Sequence, residues 1–135
     1  MASSGVVVLD TDAVSFLSRV TPGPKGFLPH LQNRQPVISF TTEAEIEQWV
    51  IQARWGSLRV ERFREFMMRF VTIPSSRDLI LKWAEVMVAA SSVVCRIEAA
   101  DDWIAATALL YDAPDQTHNP TDYAGVPGLR LVSGE

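Results

Sequence analysis

The sequence predicts an α/β protein in which a parallel β-sheet carries helices on both faces. Two short apolar runs, at residues 5–9 and 36–40, are rich in β-branched side chains, which is typical of strands buried on both faces. Stretches with helical spacing of apolar residues follow each run and continue through the rest of the chain. Such alternation of strand and helix favours right-handed crossovers and hence a parallel sheet.

The first run ends at Asp10, so this carboxylate is predicted at the carboxyl end of a buried strand, where ligands bind in open α/β sheets. A helix is predicted over residues 11–19, and its spacing turns Val14 and Leu17, and also Phe16, inward. The proline- and glycine-rich segment at 21–26 predicts a loop.

A second helix is predicted directly after the strand at 36–40, extending to about Ala53. Thr41 or Thr42 is the expected N-cap, and Glu45 then falls at or near the third helical position, as in a capping box.

Further elements are predicted in the second half of the chain: a helix over 58–70, an edge strand over 70–73, helices over 76–90 and 101–110, and a last strand over 129–132. The side chains expected to face inward from the first of these helices are Leu58, Phe63, Phe66, Met67 and Phe70.

The composition predicts one compact domain over residues 1–135, since 47% of the residues are hydrophobic and no segment is of low complexity. Cys95 is the only cysteine, which excludes an internal disulfide framework and a cysteine-rich zinc site and fits a reducing cytoplasm. Neither a signal peptide nor a membrane span is expected, so a cytoplasmic protein is predicted.

The charge is unevenly distributed. Residues 51–84 contain seven arginine or lysine residues and three acidic residues, a local charge of +4, whereas the rest of the chain carries −8. An acidic metal pocket beside a basic shoulder would have this distribution, and so would an ordinary salt-bridged helix. Charge alone leaves both interpretations open.

Ten of the sixteen carboxylates fall into four small groups, and three of the groups lie at predicted helix starts. Helix dipoles favour carboxylates at such positions, so each group has a structural explanation. The combination is more specific, because Asp10 and Glu45 follow neighbouring strands and Asp101 begins an alanine-rich helix. Carboxylates gathered at one edge repel each other unless a cation such as Mg²⁺ or Mn²⁺ neutralises them, and such a cation suits phosphodiester hydrolysis.

Four motifs in chain order carry a resemblance to a known family. They are Val8-Leu-Asp-Thr-Asp12, Ser39-Phe-Thr-Thr-Glu-Ala-Glu-Ile46, Asp101-Asp-Trp-Ile-Ala-Ala-Thr-Ala-Leu109 and Thr117-His-Asn-Pro-Thr-Asp-Tyr123. They resemble the LDT-x, S-x-x-T-x-x-E-L, D-x-W-I-A-A-T-A-L and T-x-N-x-x-D-F motifs of the VapC-like PIN-domain ribonuclease toxins. The third match is the most specific.

The resemblance implies a three-layer α/β/α domain with a five-stranded parallel sheet and a Mg²⁺-dependent endoribonuclease. It implies Asp10 and Asp101 as the main metal ligands, Glu45 as a ligand or water-orienting acid, and Asp122 or Asn119 as the residue that completes the site. It also implies an antitoxin partner and a toxin homodimer. A PIN-like module that has lost catalysis and binds protein or RNA is the alternative.

Two segments depart from the family pattern. Where the family has an apolar strand before its fourth motif, residues 114–117 read Pro-Asp-Gln-Thr, a poor strand former, so the composition argues against a fourth strand there. Val93-Val-Cys-Arg96 replaces the glycine common before the third motif. A phospho-accepting receiver domain fits less well, since the predicted strand at 70–73 is followed by proline rather than ending in aspartate.

Overall fold

A computed structural model describes residues 5–20, 34–91, 99–117 and 119–133. Their strands form one five-stranded sheet in which every neighbouring pair is parallel, as predicted. The strands are β1 (Val6–Leu9), β2 (Gln35–Ser39), β3 (Val71–Ile73), β4 (Asp115–Thr117) and β5 (Leu131–Ser133). The loop predicted at 21–26 and the segment 93–96, which contains Cys95, lie outside the described residues.

Helices cover both faces of the sheet. They are α1 (Thr11–Val20), α2 (Phe40–Ala53), α3 (Ser57–Met67), α4 (Arg77–Ser91) and α5 (Ala99–Leu110), with a short 3-10 helix at Pro120–Tyr123. This arrangement confirms the three-layer α/β/α fold. Within the described ranges, no helix is both long enough and apolar enough to cross a bilayer.

The alternating side chains of the central strand build two hydrophobic layers. Val7 and Leu9 of β1 belong to the layer with Leu17 and Phe63, which α1, α2 and α3 cover. Val8 points to the opposite layer, which α4 and α5 cover. A strand with apolar residues at consecutive positions therefore serves both layers, because successive side chains project to opposite faces.

The strand order β3-β2-β1-β4-β5 places β1 at the centre of the sheet. The chain moves outward from β1 through β2 to β3 and then returns to place β4 on the other side of β1. The strand order therefore reverses between β1 and β4, and the crevice at their carboxyl ends is where open α/β sheets bind ligands.

The predicted N-cap of the second helix was wrong. Ser39 caps α2, because its backbone is extended (φ −69°, ψ 153°) and its hydroxyl accepts a hydrogen bond from the Thr41 amide at 3.2 Å. The helix therefore begins at Phe40, and Glu45 lies in the second turn rather than in a capping box.

The composition of residues 114–117 argued against a strand, yet β4 forms and pairs with both β1 and β5. Pro114 stands before the strand, where it loses no ladder donor, and its carbonyl accepts from the Val8 amide at 2.9 Å. The Asp115 amide donates to the Arg130 carbonyl at 2.9 Å. Pairing on both sides outweighs the weak intrinsic propensity of these residues.

The prediction for the third helix was partly wrong. α3 ends at Met67 rather than Phe70, and Leu58 is 58% exposed, whereas Phe63 is buried as predicted. The edge strand β3 forms before Pro74 as predicted, and β5 begins two residues later than predicted, at Leu131.

Two leucines with opposite environments provide a test of the core assignment. Leu17 is fully buried, so Leu17→Ala should lower the free energy of unfolding by about 2–5 kcal/mol through the loss of packing. Leu58→Ala should change it by no more than about 0.5 kcal/mol, because that side chain is exposed. Denaturant unfolding of both variants measures the difference, and equal losses would contradict the structure.

Candidate functional site

Asp10 directly follows the central strand and lies at the crevice between β1 and β4. Its Oδ1 accepts a hydrogen bond from the Ala13 amide at 2.9 Å, which caps the start of α1. Its Oδ2 accepts from the Thr117 hydroxyl at 2.5 Å and from the Tyr123 hydroxyl at 3.2 Å. Burial raises the pKa of Asp10, although these hydrogen bonds act to lower it.

Asp101 lies in the first turn of α5 and is connected to Asp10 through one side chain. The Tyr123 hydroxyl that reaches Asp10 also lies 3.4 Å from Asp101 Oδ1. The pKa of Asp101 is raised to about 6, first by burial and then by the negative charges of Asp122, Asp10 and Glu45.

Glu45 and Asp122 therefore lie within electrostatic range of Asp101. Glu45 projects from the second turn of α2, where its Oε1 accepts from the Thr11 hydroxyl at 2.5 Å. Asp122 is exposed on the 3-10 helix after β4. The structure thus gathers all four predicted acidic residues at the carboxyl edge of the sheet.

The structure also separates Glu45 from its two acidic neighbours on α2. Glu47 forms a two-bond ion pair with Arg64 of α3, and the charge of Glu43 helps to raise the Arg64 pKa. These two glutamates therefore face α3, whereas Glu45 faces the carboxylate cluster.

Asn119 and Asp122, between which the sequence could not choose, have different surroundings. The Asn119 amide nitrogen Nδ2 donates to Asp12 Oδ2 at 2.9 Å, and its backbone N–H donates to the Thr117 hydroxyl at 3.0 Å. Among the charges that raise the Asp101 pKa, that of Asp122 contributes most. Of the two residues, Asp122 is therefore the one whose charge acts on the Asp101 carboxylate.

Sequence reasoning gave no role to three polar residues beneath this edge, namely Thr117, Tyr123 and Asp115. Thr117 and Tyr123 donate to Asp10, and Asp115 is fully buried in β4 with no hydrogen bond of ordinary geometry to either oxygen. Two of them depart from the motif pattern, which the sequence alone could have shown. Tyr123 stands where the fourth motif has phenylalanine, and Asp115 stands where the family has an apolar residue.

The donor set suits a hard divalent cation. The converging groups offer carboxylate oxygens, and burial followed by their mutual repulsion raises the pKa of Asp101. A bound cation would relieve that repulsion. In the described part of the chain, no three acidic, histidine or cysteine side chains already stand close enough together to hold an ion. The four carboxylates thus have the oxygen donors that Mg²⁺ prefers and lie at the ligand-binding edge of the sheet, but they do not form a preassembled group of three ligands.

The fold is similar to chains of solved VapBC and FitAB structures, and VapBC is described as a family of toxin–antitoxin systems. A chain of the DNA-bound VapBC2 complex of Rickettsia felis has a TM-score of 0.79 and 20% sequence identity, covering 95% of this chain and 98% of that one. VapBC-1 of nontypeable Haemophilus influenzae has a TM-score of 0.79, 20% identity and coverages of 96% and 98%. FitAcB of Neisseria gonorrhoeae has a TM-score of 0.76, 22% identity and coverages of 95% and 97%.

At these identities the similarity establishes a shared fold over nearly the whole chain, as expected from the motifs. No family model and no curated protein sequence matches the chain.

The raised pKa of Asp101 predicts a pH-dependent stability in metal-free protein. A carboxyl whose pKa is higher in the folded state than its usual value of 3.8 favours folding when it is protonated. The melting temperature should therefore gain a contribution from Asp101 as the pH falls from about 7 through 6 towards 4. Thermal unfolding of Asp101→Asn should lack this contribution.

The matched control is Asp78→Asn, which alters an exposed aspartate on α4. This control should keep the pH dependence of the unaltered protein. An Asp101→Asn profile parallel to that of the unaltered protein would contradict the assignment.

Proposed function

We propose that this chain is a Mg²⁺-dependent endoribonuclease toxin that hydrolyses RNA phosphodiester bonds and is controlled by an antitoxin protein. The observation that carries the proposal is the gathering of Asp10, Glu45, Asp101 and Asp122 at the crevice where the strand order reverses. The shared fold with chains of toxin–antitoxin complexes supports it.

Asp10 and Asp101 are the residues that would hold the metal ion. When bound, Mg²⁺ would lower the pKa of a water molecule and stabilise negative charge on the phosphate. Glu45 and Asp122, both exposed beside Asp101, are placed to orient water or to contribute to the ligand set. The Thr117 and Ala13 hydrogen bonds hold the Asp10 carboxylate in place.

Two basic residues of α3 make contacts within the α2–α3 pair. Arg64 is engaged with Glu47, and Arg59 stacks on the Trp55 ring with 4.1 Å between the guanidinium carbon and the ring centroid. Both contacts belong to the structure of the α2–α3 pair. Local pairing therefore explains part of the positive charge in residues 51–84. The charge of Arg59 and Arg64 does not by itself indicate an RNA-binding surface.

The proposed nuclease is tested by cleavage of structured RNA in the presence of Mg²⁺ or Mn²⁺. Asp101→Asn should lose activity by on the order of 100-fold or more, because metal stabilisation of the transition state is worth several kcal/mol. Chelation by EDTA should abolish cleavage, and excess Mg²⁺ should restore it. Circular dichroism should show that the variant remains folded.

The glutamates on α2 provide a matched pair for the same assay. Glu45→Gln should reduce cleavage, whereas Glu43→Gln, two residues earlier and directed towards α3, should leave it unchanged. Equal activity of Asp101→Asn and the unaltered protein would refute the nuclease assignment.

A non-catalytic PIN-like binding module is the second candidate. It is favoured by the finding that, over the described ranges, no three ligand side chains already converge at ion-binding distance. Calorimetric titration with Mn²⁺ separates the two candidates, since only the nuclease requires binding at millimolar concentrations or below.

The antitoxin partner and a toxin homodimer are further proposals. Several solved structures of this fold are toxin–antitoxin complexes, and α4 exposes Ile80, Leu81 and Met87, apolar side chains of the kind that protein interfaces cover. A short reading frame beside this one should encode a protein that copurifies with the chain. Its addition should inhibit RNA cleavage at equimolar ratio, and undiminished cleavage by the complex would contradict the inhibitory role.

A further inference from the structure

The most unusual polar group in the core is the Tyr123 hydroxyl. The side chain is 2% exposed, and its ring packs in the layer that contains Val8 and Ile104. The hydroxyl emerges from this layer between two carboxylates, 3.2 Å from Asp10 Oδ2 and 3.4 Å from Asp101 Oδ1. It is thus a direct connection between the two residues proposed to hold the metal ion.

Both distances are longer than the 2.7–2.8 Å typical of an O–H···O bond. A phenol has one proton, so one hydroxyl shared between two acceptors explains why neither contact is short. Because the aromatic ring is packed in the core, the shared hydroxyl is a fixed point to which both carboxylates are tied.

Asp115 lies on the face of the sheet against which the Tyr123 ring packs. It pairs in register with Val8, and the side chains of laterally paired residues project from the same face of a parallel sheet, here the face on which Tyr123 packs. The Asp115 side chain is fully buried and lacks a hydrogen bond of ordinary geometry. A buried carboxyl without a partner is costly, so its presence in a central strand calls for an explanation.

The Tyr123 hydroxyl is a polar neighbour of this carboxyl. It lies close enough to lower the pKa of Asp115, against the much larger effect of burial. In the other direction, burial and then the charge of Asp115, ahead of those of Asp10 and Asp101, raise the Tyr123 pKa. Three carboxyl groups therefore surround one phenol hydroxyl beneath the sheet edge.

We propose that Tyr123 is a positioning residue of the acidic site and that its hydroxyl sets the separation of the Asp10 and Asp101 carboxylates for the metal ion. The inference rests on the proposed function for the identity of the metal site. It adds that the hydroxyl by which tyrosine differs from phenylalanine at position 123 strengthens metal binding in this chain. Groups that hydrogen-bond to metal ligands alter metal affinity typically by 10- to 100-fold when they are removed.

The test compares Mn²⁺ affinity and thermal unfolding in three proteins: the unaltered chain, Tyr123→Phe, and the double variant Tyr123→Phe/Asp115→Val. Tyr123→Phe removes only the hydroxyl, and it should weaken Mn²⁺ binding by about 10-fold in calorimetric titration. It should also lower the melting temperature, because Asp115 then lacks its polar neighbour.

The double variant separates positioning from simple stability. Removing the buried carboxyl should restore the melting temperature towards that of the unaltered protein, whereas Mn²⁺ affinity should remain weak. With saturating Mg²⁺, cleavage by the double variant should recover. Recovery of unaltered Mn²⁺ affinity in the double variant would overturn the proposal, since the hydroxyl would then serve only the stability of the fold.

If the unaltered protein binds no Mn²⁺, the proposed function is overturned. The contact between the Tyr123 hydroxyl and the Asp101 carboxylate is then measured without metal. Tyr123→Phe and Asp101→Asn should have non-additive effects on the free energy of unfolding if the hydroxyl contacts that carboxylate. Additive effects would overturn the positioning role.

Discussion

The site depends on one buried carboxylate, Asp10, held at the point where the strand order of the sheet reverses. Burial of an ionised group is unfavourable, and here three donors from three separate segments compensate it: the Ala13 amide, the Thr117 hydroxyl and the Tyr123 hydroxyl. The start of α1, the end of β4 and the 3-10 helix are thereby all attached to the end of β1. The other acidic residues are arranged around this point.

The parallel topology explains why these segments meet. Carboxyl ends of parallel strands lie at one edge, and a chain that builds its sheet outward from β1 in both directions leaves a crevice between β1 and β4. Glu45 reaches the edge from α2, which follows β2, the other neighbour of β1. Asp101 reaches it from the start of α5, whose Ile104 and Ala105 are buried against the sheet. The small alanine side chain permits that close approach.

The carboxylates of the site repel one another, and this repulsion contributes to the raised pKa of Asp101. Asp101 is only half-buried, yet burial and three neighbouring negative charges raise its pKa to about 6. By contrast, Glu47 has an arginine partner and its pKa is lowered. These two acids thus have opposite pKa shifts, because an arginine pairs with Glu47 whereas burial and then acidic neighbours act on Asp101. Acids that raise one another's pKa are suited to binding a cation.

The sequence by itself determined the class of fold, the two buried strands at 6–9 and 35–39 within one residue, and the acids expected at the sheet edge. It could do so because β-branched apolar runs and helical periodicity are local signals, and the four motifs specify positions along the chain. It also distinguished Glu45 from Glu43 and Glu47 by motif alone, and the Arg64 ion pair supplies the physical reason for that difference.

Only the tertiary structure decided the fourth strand, the cap of α2 and the role of the polar residues beneath the site. Asp115, Gln116 and Thr117 have weak strand propensity, but β4 is paired on both sides. Asp115 and Gln116 pair with β1, more than a hundred positions away in the sequence, and all three residues pair with β5. The contacts of the Tyr123 hydroxyl depend on the same long-range packing. Asp10 and Asp101 approach it only once β1, α5 and the 3-10 helix have assembled. Local sequence specifies which elements form, and the contacts between distant elements decide which polar groups become buried together.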